Sequence, residues 1–336
     1  MSVIAVVGLQ YGDEAKSRVA DHLIHLWNIR IGVRSNGGAN AGHTVVANGK
    51  KSVLHHLPAT VLREGTVSVL SPGVLIDLAE LESEIGMFLA NGSKVMVDPR
   101  CPAVLPEHKE RDKATGSRIG TTCRGIGPCM EDRVTRIGQT VGDLVDKYPF
   151  IQRHLCDTVD FLYSVVHKER VIVEGAQAFG LDLWHGTYPY VTSSSCTTGG
   201  ICAYTGLSPK QINIVCGVCK PYSTRVGKGP FLEMPDLEAE EYRTRGNEYG
   251  STTGRPRRIG YLDLDEAKRA AKVNGVDFVA LTKTDVVKYP LVVYFEGKFR
   301  QVFGLSDLLH MMHEASVRVK FVSYGADRSD IREIPW

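Results

Sequence analysis

The chain opens on Val3-Ile-Ala-Val-Val7, an unbroken aliphatic run ended by Gly8, and no other feature constrains its folding more. A strand without polar alternation has no face to offer water, so it must be covered on both sides, as in parallel sheets with helices on each face. Helical spacing follows at Val19, Leu23, Leu26 and Trp27, so the first unit reads strand, glycine loop, helix. Further short aliphatic runs stand at 67–70, 94–97, 171–173, 212–215, 278–281 and 319–322, with helical patterns over 75–89, 150–167, 265–273 and 305–315. This alternation predicts an α/β fold with a mostly parallel central sheet flanked by helices. No repeat, low-complexity tract or Pro/Ser-rich linker interrupts it, so residues 1–336 read as a single domain.

Charge narrows the function classes. Forty Lys plus Arg against 38 Asp plus Glu give a net charge of +2, too little for a basic field that holds nucleic acid. No apolar run approaches the ~18 residues that span a bilayer, and the N-terminus lacks the basic region and cleavage site of a secretory signal, so a cytoplasmic protein that touches no membrane is expected. Eight irregularly spaced cysteines suit reduced thiols. Cys216-Gly-Val-Cys219 alone has ligand-like spacing, but it ends an aliphatic run and enters a loop with Pro221, so it reads as buried strand rather than a zinc or redox site.

Four loops are rich in glycine and hydroxyls: 35–44, 119–128, 193–200 and 249–258. Such loops let backbone N–H groups approach an anion, and two of them carry arginines that suit phosphate or carboxylate. The first strand itself runs into Gly8-Leu-Gln-Tyr-Gly-Asp-Glu-Ala-Lys16-Ser17, a glycine turn feeding a helix start with a lysine at its opening. Unpaired N–H donors, the helix dipole and Lys16 make this a phosphate cradle, P-loop NTPase-like but modified, because Ala15 replaces the second glycine of G-x-x-x-x-G-K-[ST]. A carboxylate inside such a loop repels phosphate unless it binds a metal or takes a proton, so Asp13 is a Mg²⁺ ligand, a general base or both. Asp13 and Glu14 could instead be first-turn acids complementing the helix dipole. After the run at 278–281, Thr282-Lys-Thr-Asp285 places at a strand end a carboxylate able to accept from guanine N1–H and N2–H₂ together, which points to GTP.

Together with these, Asn40-Ala-Gly-His-Thr44, Glu131-Asp132 with Arg136, Glu174-Gly-Ala-Gln177, His185-Gly-Thr-Tyr-Pro-Tyr-Val-Thr-Ser193, Tyr222-Ser-Thr-Arg-Val-Gly227, Thr252-Thr-Gly-Arg255 and Ser323-Tyr-Gly-Ala-Asp327 give the chain its resemblance. It resembles adenylosuccinate synthetase in its compact form, over nearly all its length. The resemblance implies a GTP-dependent ligase joining IMP and L-aspartate. Asp13 would take the N1 proton of IMP so that O6 attacks the γ-phosphate, and His43 would donate to the phosphoryl oxygens. Lys16 and Gln177 complete the implied catalytic set, with Mg²⁺ on Asp13 and the Gly42 carbonyl. The implied GTP contacts are Gly12, Glu14, Ala15, Lys16, Ser17, Gly42, His43, Thr44, Lys283, Asp285, Ser323 and Gly325. IMP would rest on Asp13, Asn40, Thr122, Gln177, Thr192 and Arg255, with Arg136 reaching across a homodimer. Val226, Thr252, Thr253, Arg255 and Arg257 would hold aspartate, while Arg258 could be solvated surface charge.

The departures are specific. The family's Gly-Asp-Glu-Gly-Lys-Gly-Lys is here Gly12-Asp-Glu-Ala-Lys-Ser-Arg18, Tyr11 stands for Trp, and Cys123 and Ala178 replace glycines. Ala15 is expected to fit a left-handed position poorly. Two other readings compete: a phage-type relative acting on dGMP, disfavoured by Asp13 and Asp285, and a non-catalytic GTP-binding regulator, which would leave the Gln177, Thr192 and Arg255 segments unexplained.

Overall fold

The opening run forms strand β1 (Val3–Gly8), whose alternate residues enter separate hydrophobic clusters, Val3, Ala5 and Val7 on one face and Ile4 and Val6 on the other. Both faces are therefore covered, as an all-apolar strand requires. The structure, a computed structural model, describes residues 2–90, 92–250 and 254–335. Among the described residues eight further strands join the same sheet: β2 (Ile31–Arg34), β3 (Val67–Leu70), β4 (Lys94–Val97), β5 (Val171–Glu174), β6 (Ile212–Cys219), β7 (Phe278–Leu281), β8 (Val319–Ser323) and β9 (Ile331–Glu333). Their spatial order is β9-β8-β7-β6-β1-β5-β2-β3-β4. Every neighbouring pair is parallel except the edge pair β8 and β9. This is the α/β architecture expected, with a P-loop-like first unit.

Helix α1 (Lys16–Leu26) follows β1 and buries Val19, Ala20, Leu23 and Ile24 against the Ile4 and Val6 face. The opposite face carries Leu162, Ile201 and Ala267 from the helices Thr158–Val165, Thr198–Thr205 and Leu264–Asn274. A second sheet of four strands (Tyr222–Arg225, Arg258–Asp263, Leu291–Phe295, Lys298–Val302) lies outside the central one. No sequence pattern had suggested it.

Some boundaries differ from the sequence expectation. The helical pattern at 150–167 resolves into a 3₁₀ turn, Pro149–His154, and a helix Thr158–Val165. Asp157 separates them because its side chain caps the second helix, accepting from the Val159 and Asp160 N–H groups at 3.0 and 3.2 Å. Likewise Asp77 caps an earlier helix, Leu78–Phe88, which starts at Leu78 rather than at 75. β2 escaped notice because Gly32 breaks its apolar run; that glycine is required, since a Cβ there would lie 2.3 Å from the Thr60 hydroxyl oxygen. Cys216 and Cys219 both lie buried within β6, and burial pushes their thiols well above the usual range.

Candidate active site

The parallel strands end along one edge, where open α/β sheets bind ligands. In register there, Arg34 ends β2 beside Glu174 of β5, and Glu174 in turn pairs with Val6 of β1. Four segments meet at this edge: the loop from β1 to α1, the hairpin bearing His43, the ends of β7 and β8, and the loop approaching Arg257.

The phosphate loop turns through Gly12 (φ 96°), Asp13 (φ 61°) and Ala15 (φ 68°), a sequence of left-handed residues that throws its backbone around a small concavity. Glu14 lies inside it with no exposure, accepting at 2.8 Å from the Gly12 N–H and at 2.8 Å from Lys16 Nζ. The Glu14 carboxylate is thus the anion that Lys16 pairs with inside this loop. Gly8 makes room: a Cβ there would lie 2.5 Å from Glu14 Oε2. Ala15 is the N-cap of α1 and makes no side-chain cap bond. A methyl-bearing residue held left-handed costs about 1–2 kcal/mol that glycine does not. Ala15→Gly is therefore expected to raise the melting temperature by about 2–4 °C; a lower one would contradict the assigned strain. Cys123 (φ 56°) repeats this situation, whereas Ala178 (φ −160°) is extended and unstrained.

Asp13 faces Arg257, with Nη2 donating to Oδ1 at 2.9 Å and Nε 2.9 Å from Oδ2. Arg257 also donates from Nη1 to Glu248 at 2.6 Å. Glu248, fully buried, is the hub of a charged cluster: Lys220 Nζ at 3.3 Å, Lys283 Nζ at 3.1 Å and the Tyr222 hydroxyl at 2.5 Å all meet its Oε1. Burial alone would raise the Glu248 carboxyl, but Lys220, Lys283 and Arg257 hold it well below the usual carboxylate range. Burial lowers the Lys220 ammonium to about 8 despite Glu248. Neither Lys220 nor Glu248 carried a motif, so sequence reading missed both; their only trace was a position beside the glycine loops.

A second network surrounds His43. Its Nδ1 lies 2.8 Å from Ser17 Oγ, which donates onward to Glu174 Oε2 at 2.8 Å, and Arg34 contacts both ring nitrogens, Nη1 at 3.4 Å from Nδ1 and Nη2 against Nε2. With the Ser17 hydrogen given to Glu174, the consistent arrangement has Nδ1–H donating to Ser17 and Nε2 accepting from Arg34. Burial, then Arg34, Lys16 and His55, pushes His43 well below the ordinary histidine value. Burial also lowers His22, His55 and His154. These rings stay neutral in the fold while the unfolded chain takes up protons below about pH 6.5, so this stability is full above that value and lost as pH falls. The melting temperature should drop between about pH 7.5 and about pH 5.5, less steeply for His43→Asn; a flat profile would contradict the assignment.

The other expected residues separate into groups. Asn40 Oδ1 and Gln177 Oε1 are buried without a hydrogen-bond partner among the described residues, as are Arg34 Nε and Arg18 Nε; such orphans are what a polar ligand would satisfy. Lys283 Nζ donates to the Gly246 carbonyl at 2.6 Å, Asp285 is exposed, and Ser323 Oγ donates to the Gly325 carbonyl at 3.2 Å. The Thr192 N–H donates to Leu181 at 2.8 Å, Arg255 donates to the Gly120 carbonyl at 3.1 Å, and Thr122 and Val226 flank the place where the loops at 120 and 227 touch. Thr44 pairs across the hairpin with Val53. Arg136 stands apart, exposed at the end of the helix Ile126–Thr135. Thr252 and Thr253 lie outside the described residues. Arg258 is not bare surface charge: it donates to the Gly227 and Gly229 carbonyls at 3.1 and 2.9 Å and sits over the Phe231 ring.

For Mg²⁺, the expected donors are hard oxygens, the Asp13 carboxylate and the Gly42 carbonyl, which suit that ion. Among the described residues no cluster of three or more His, Cys, Asp or Glu could hold a metal by itself. The donor set fits an ion whose remaining ligands come from phosphate and water.

Known proteins resemble this chain along most of its length. The family model of adenylosuccinate synthetase matches residues 5–153 and 146–293. The adenylosuccinate synthetase of Proteus mirabilis is 39% identical over 84% of this chain and 77% of its own length. That of Syntrophomonas wolfei is 38% identical over 85% of this chain and 78% of its own. Among solved structures, fully ligated adenylosuccinate synthetase from Plasmodium falciparum superposes with a TM-score of 0.91 at 28% identity, covering 100% of both chains. Cyanophage S-2L succinoaminodeoxyadenylate synthetase, bound to dGMP and dATP as an energy donor, superposes at 0.85 with 26% identity over 100% of this chain and 96% of that one.

Proposed function

The chain belongs to the adenylosuccinate synthetase family, ligases that form a C–N bond, and from that premise we propose how its own residues join IMP and L-aspartate at the expense of GTP. One observation carries the reading: Asp13 is held left-handed inside a phosphate loop, against a guanidinium, at the carboxyl edge of a parallel sheet. A carboxylate so placed can take a proton from a ring nitrogen beside a bound triphosphate.

Asp13 takes the N1 proton of IMP, and the electron pair moves to O6, which attacks the γ-phosphorus of GTP and releases GDP. The aspartate amino group then attacks C6, the C6–O6 bond breaks, phosphate leaves with its oxygen, and the nitrogen loses its proton. Lys16, freed from Glu14, and Arg34, freed from His43, neutralise charge on the transferring group. His43 then donates through Nε2–H to a phosphoryl oxygen, which requires the ring to change tautomer as Arg34 leaves. Gln177 and Asn40 turn their side-chain amides to IMP, the N–H₂ groups donating to acceptors of the purine. Arg257 exchanges Asp13 for a carboxylate of the substrate aspartate, with Arg255, Val226, Thr252 and Thr253 completing that subsite. Mg²⁺, on Asp13 and Gly42, supplies electrostatic stabilisation of the phosphates when bound. Lys283, Asp285, Ser323 and Gly325 take guanine.

We read the protein as one cytoplasmic domain working as a homodimer, Arg136 reaching the partner's IMP phosphate. Among the described residues no helix is long and apolar enough to cross a membrane. The likeness to the cyanophage enzyme keeps dGMP as the alternative substrate, against which Asp13 argues, because its side chain would occupy space that a purine 2-amino group needs. Protein, GTP, Mg²⁺ and aspartate mixed with either IMP or dGMP decide by the ultraviolet absorbance of the succino product. Product from IMP is expected; product from dGMP alone would reverse the choice, and GTP binding with neither product would indicate a regulator.

A further inference from the structure

Arg18 stands where the family motif has lysine, and the structure puts it to a use beyond the phosphate loop. It lies in the first turn of α1, yet its side chain is only 5% exposed, and its Nη2 donates to the Ser323 hydroxyl at the end of β8. Among the described residues its Nε has no hydrogen-bond partner. Burial lowers the guanidinium, opposed by the carboxylates of Asp285, Asp330 and Asp327. β7 and β8 are adjacent and parallel, and Thr284 ties their ends together by donating from its N–H and its hydroxyl to the Ser323 carbonyl at 3.1 and 2.8 Å. Arg18, Asp285, Ser323 and Gly325 therefore share one corner of the site.

We propose that Arg18 is a specificity-determining residue that reads the O6 and N7 acceptors of the donor nucleotide's guanine while Asp285 reads its N1–H and N2–H₂. Nε–H and the neighbouring Nη2–H form one fork of a planar guanidinium, whose spacing matches two adjacent acceptors; guanine offers O6 and N7 there. Adenine replaces O6 with an amino donor, which meets the guanidinium donor to donor. A lysine at this position supplies one point charge and no fork. The proposal rests on the GTP reading above, extending it to a residue that departs from the family motif.

The test is calorimetric titration of the full-length protein with GDP, IDP and ADP in Mg²⁺, for wild type, Arg18→Met, Arg18→Lys and Asp285→Asn. Arg18→Met should weaken GDP and IDP alike, by about 5- to 150-fold, and leave ADP unchanged or tighter, collapsing the GDP preference. The GDP to IDP ratio should move only with Asp285→Asn, because IDP lacks the 2-amino group but keeps O6 and N7. Arg18→Lys should fall between wild type and Arg18→Met. Equal weakening of all three nucleotides, an unchanged GDP to ADP ratio, or tighter GDP binding by Arg18→Met would overturn the proposal. If Arg18→Met fails to give a cooperative melt, the ratio in Arg18→Lys decides alone: unchanged from wild type, it overturns the proposal. A wild-type protein binding ADP as well as GDP would end the GTP reading itself, and Arg18's role with it; a selective wild type with an equally selective Arg18→Met would remove Arg18 alone.

Discussion

Asp13→Asn is expected to lower kcat for succino-nucleotide formation by about 10²- to 10⁴-fold, the usual contribution of a positioned general base. Asparagine keeps the size and the oxygen that accepts from Arg257 but cannot take the N1 proton. IMP binding should change far less than kcat, and the variant should melt close to wild type, because Asp13 is a partly exposed partner in its ion pair. Steady-state kinetics with titration of IMP separate the two effects. Parental kcat in Asp13→Asn would remove the assigned base; a loss confined to KM would recast Asp13 as a binding group.

The second large effect belongs to Glu248. Three cations, Lys220, Lys283 and Arg257, surround this one buried carboxylate, and Tyr222 donates to it as well. Glu248→Gln preserves shape but leaves those charges uncompensated, and breaking a buried pair in this way costs about 3–5 kcal/mol. A melting temperature lower by roughly 10 °C follows. Activity should fall too, because Glu248 positions Arg257 against Asp13 and Lys283 beside Asp285. A variant that melts within about 2 °C of wild type would show that water or rearrangement screens the cluster.

What the sequence made legible follows from which interactions are local. β1, the phosphate loop and α1 are consecutive, and an all-apolar run before a glycine turn carries its own signal, so that unit was readable together with the strands at 67–70, 94–97 and 278–281. β2 was lost because its glycine answers to Thr60, a partner elsewhere in the chain. The residue types of the site were legible through the resemblance, but their partners in this structure were not: Lys16 on Glu14, His43 on Arg34 and Ser17, Arg257 on Asp13. Those pairs join residues up to 244 positions apart, and no spacing rule encodes them. Ala15 is the instructive exception. Its left-handed backbone was expected from the glycine it replaces, and the structure has it at φ 68°.

The account turns on O6 of the purine being phosphorylated and then expelled. IMP labelled with ¹⁸O at C6, incubated with the protein, GTP, Mg²⁺ and aspartate, should transfer its label to inorganic phosphate as succino-nucleotide forms, one labelled phosphate for each product. Phosphate that carries no label while product accumulates would contradict the account.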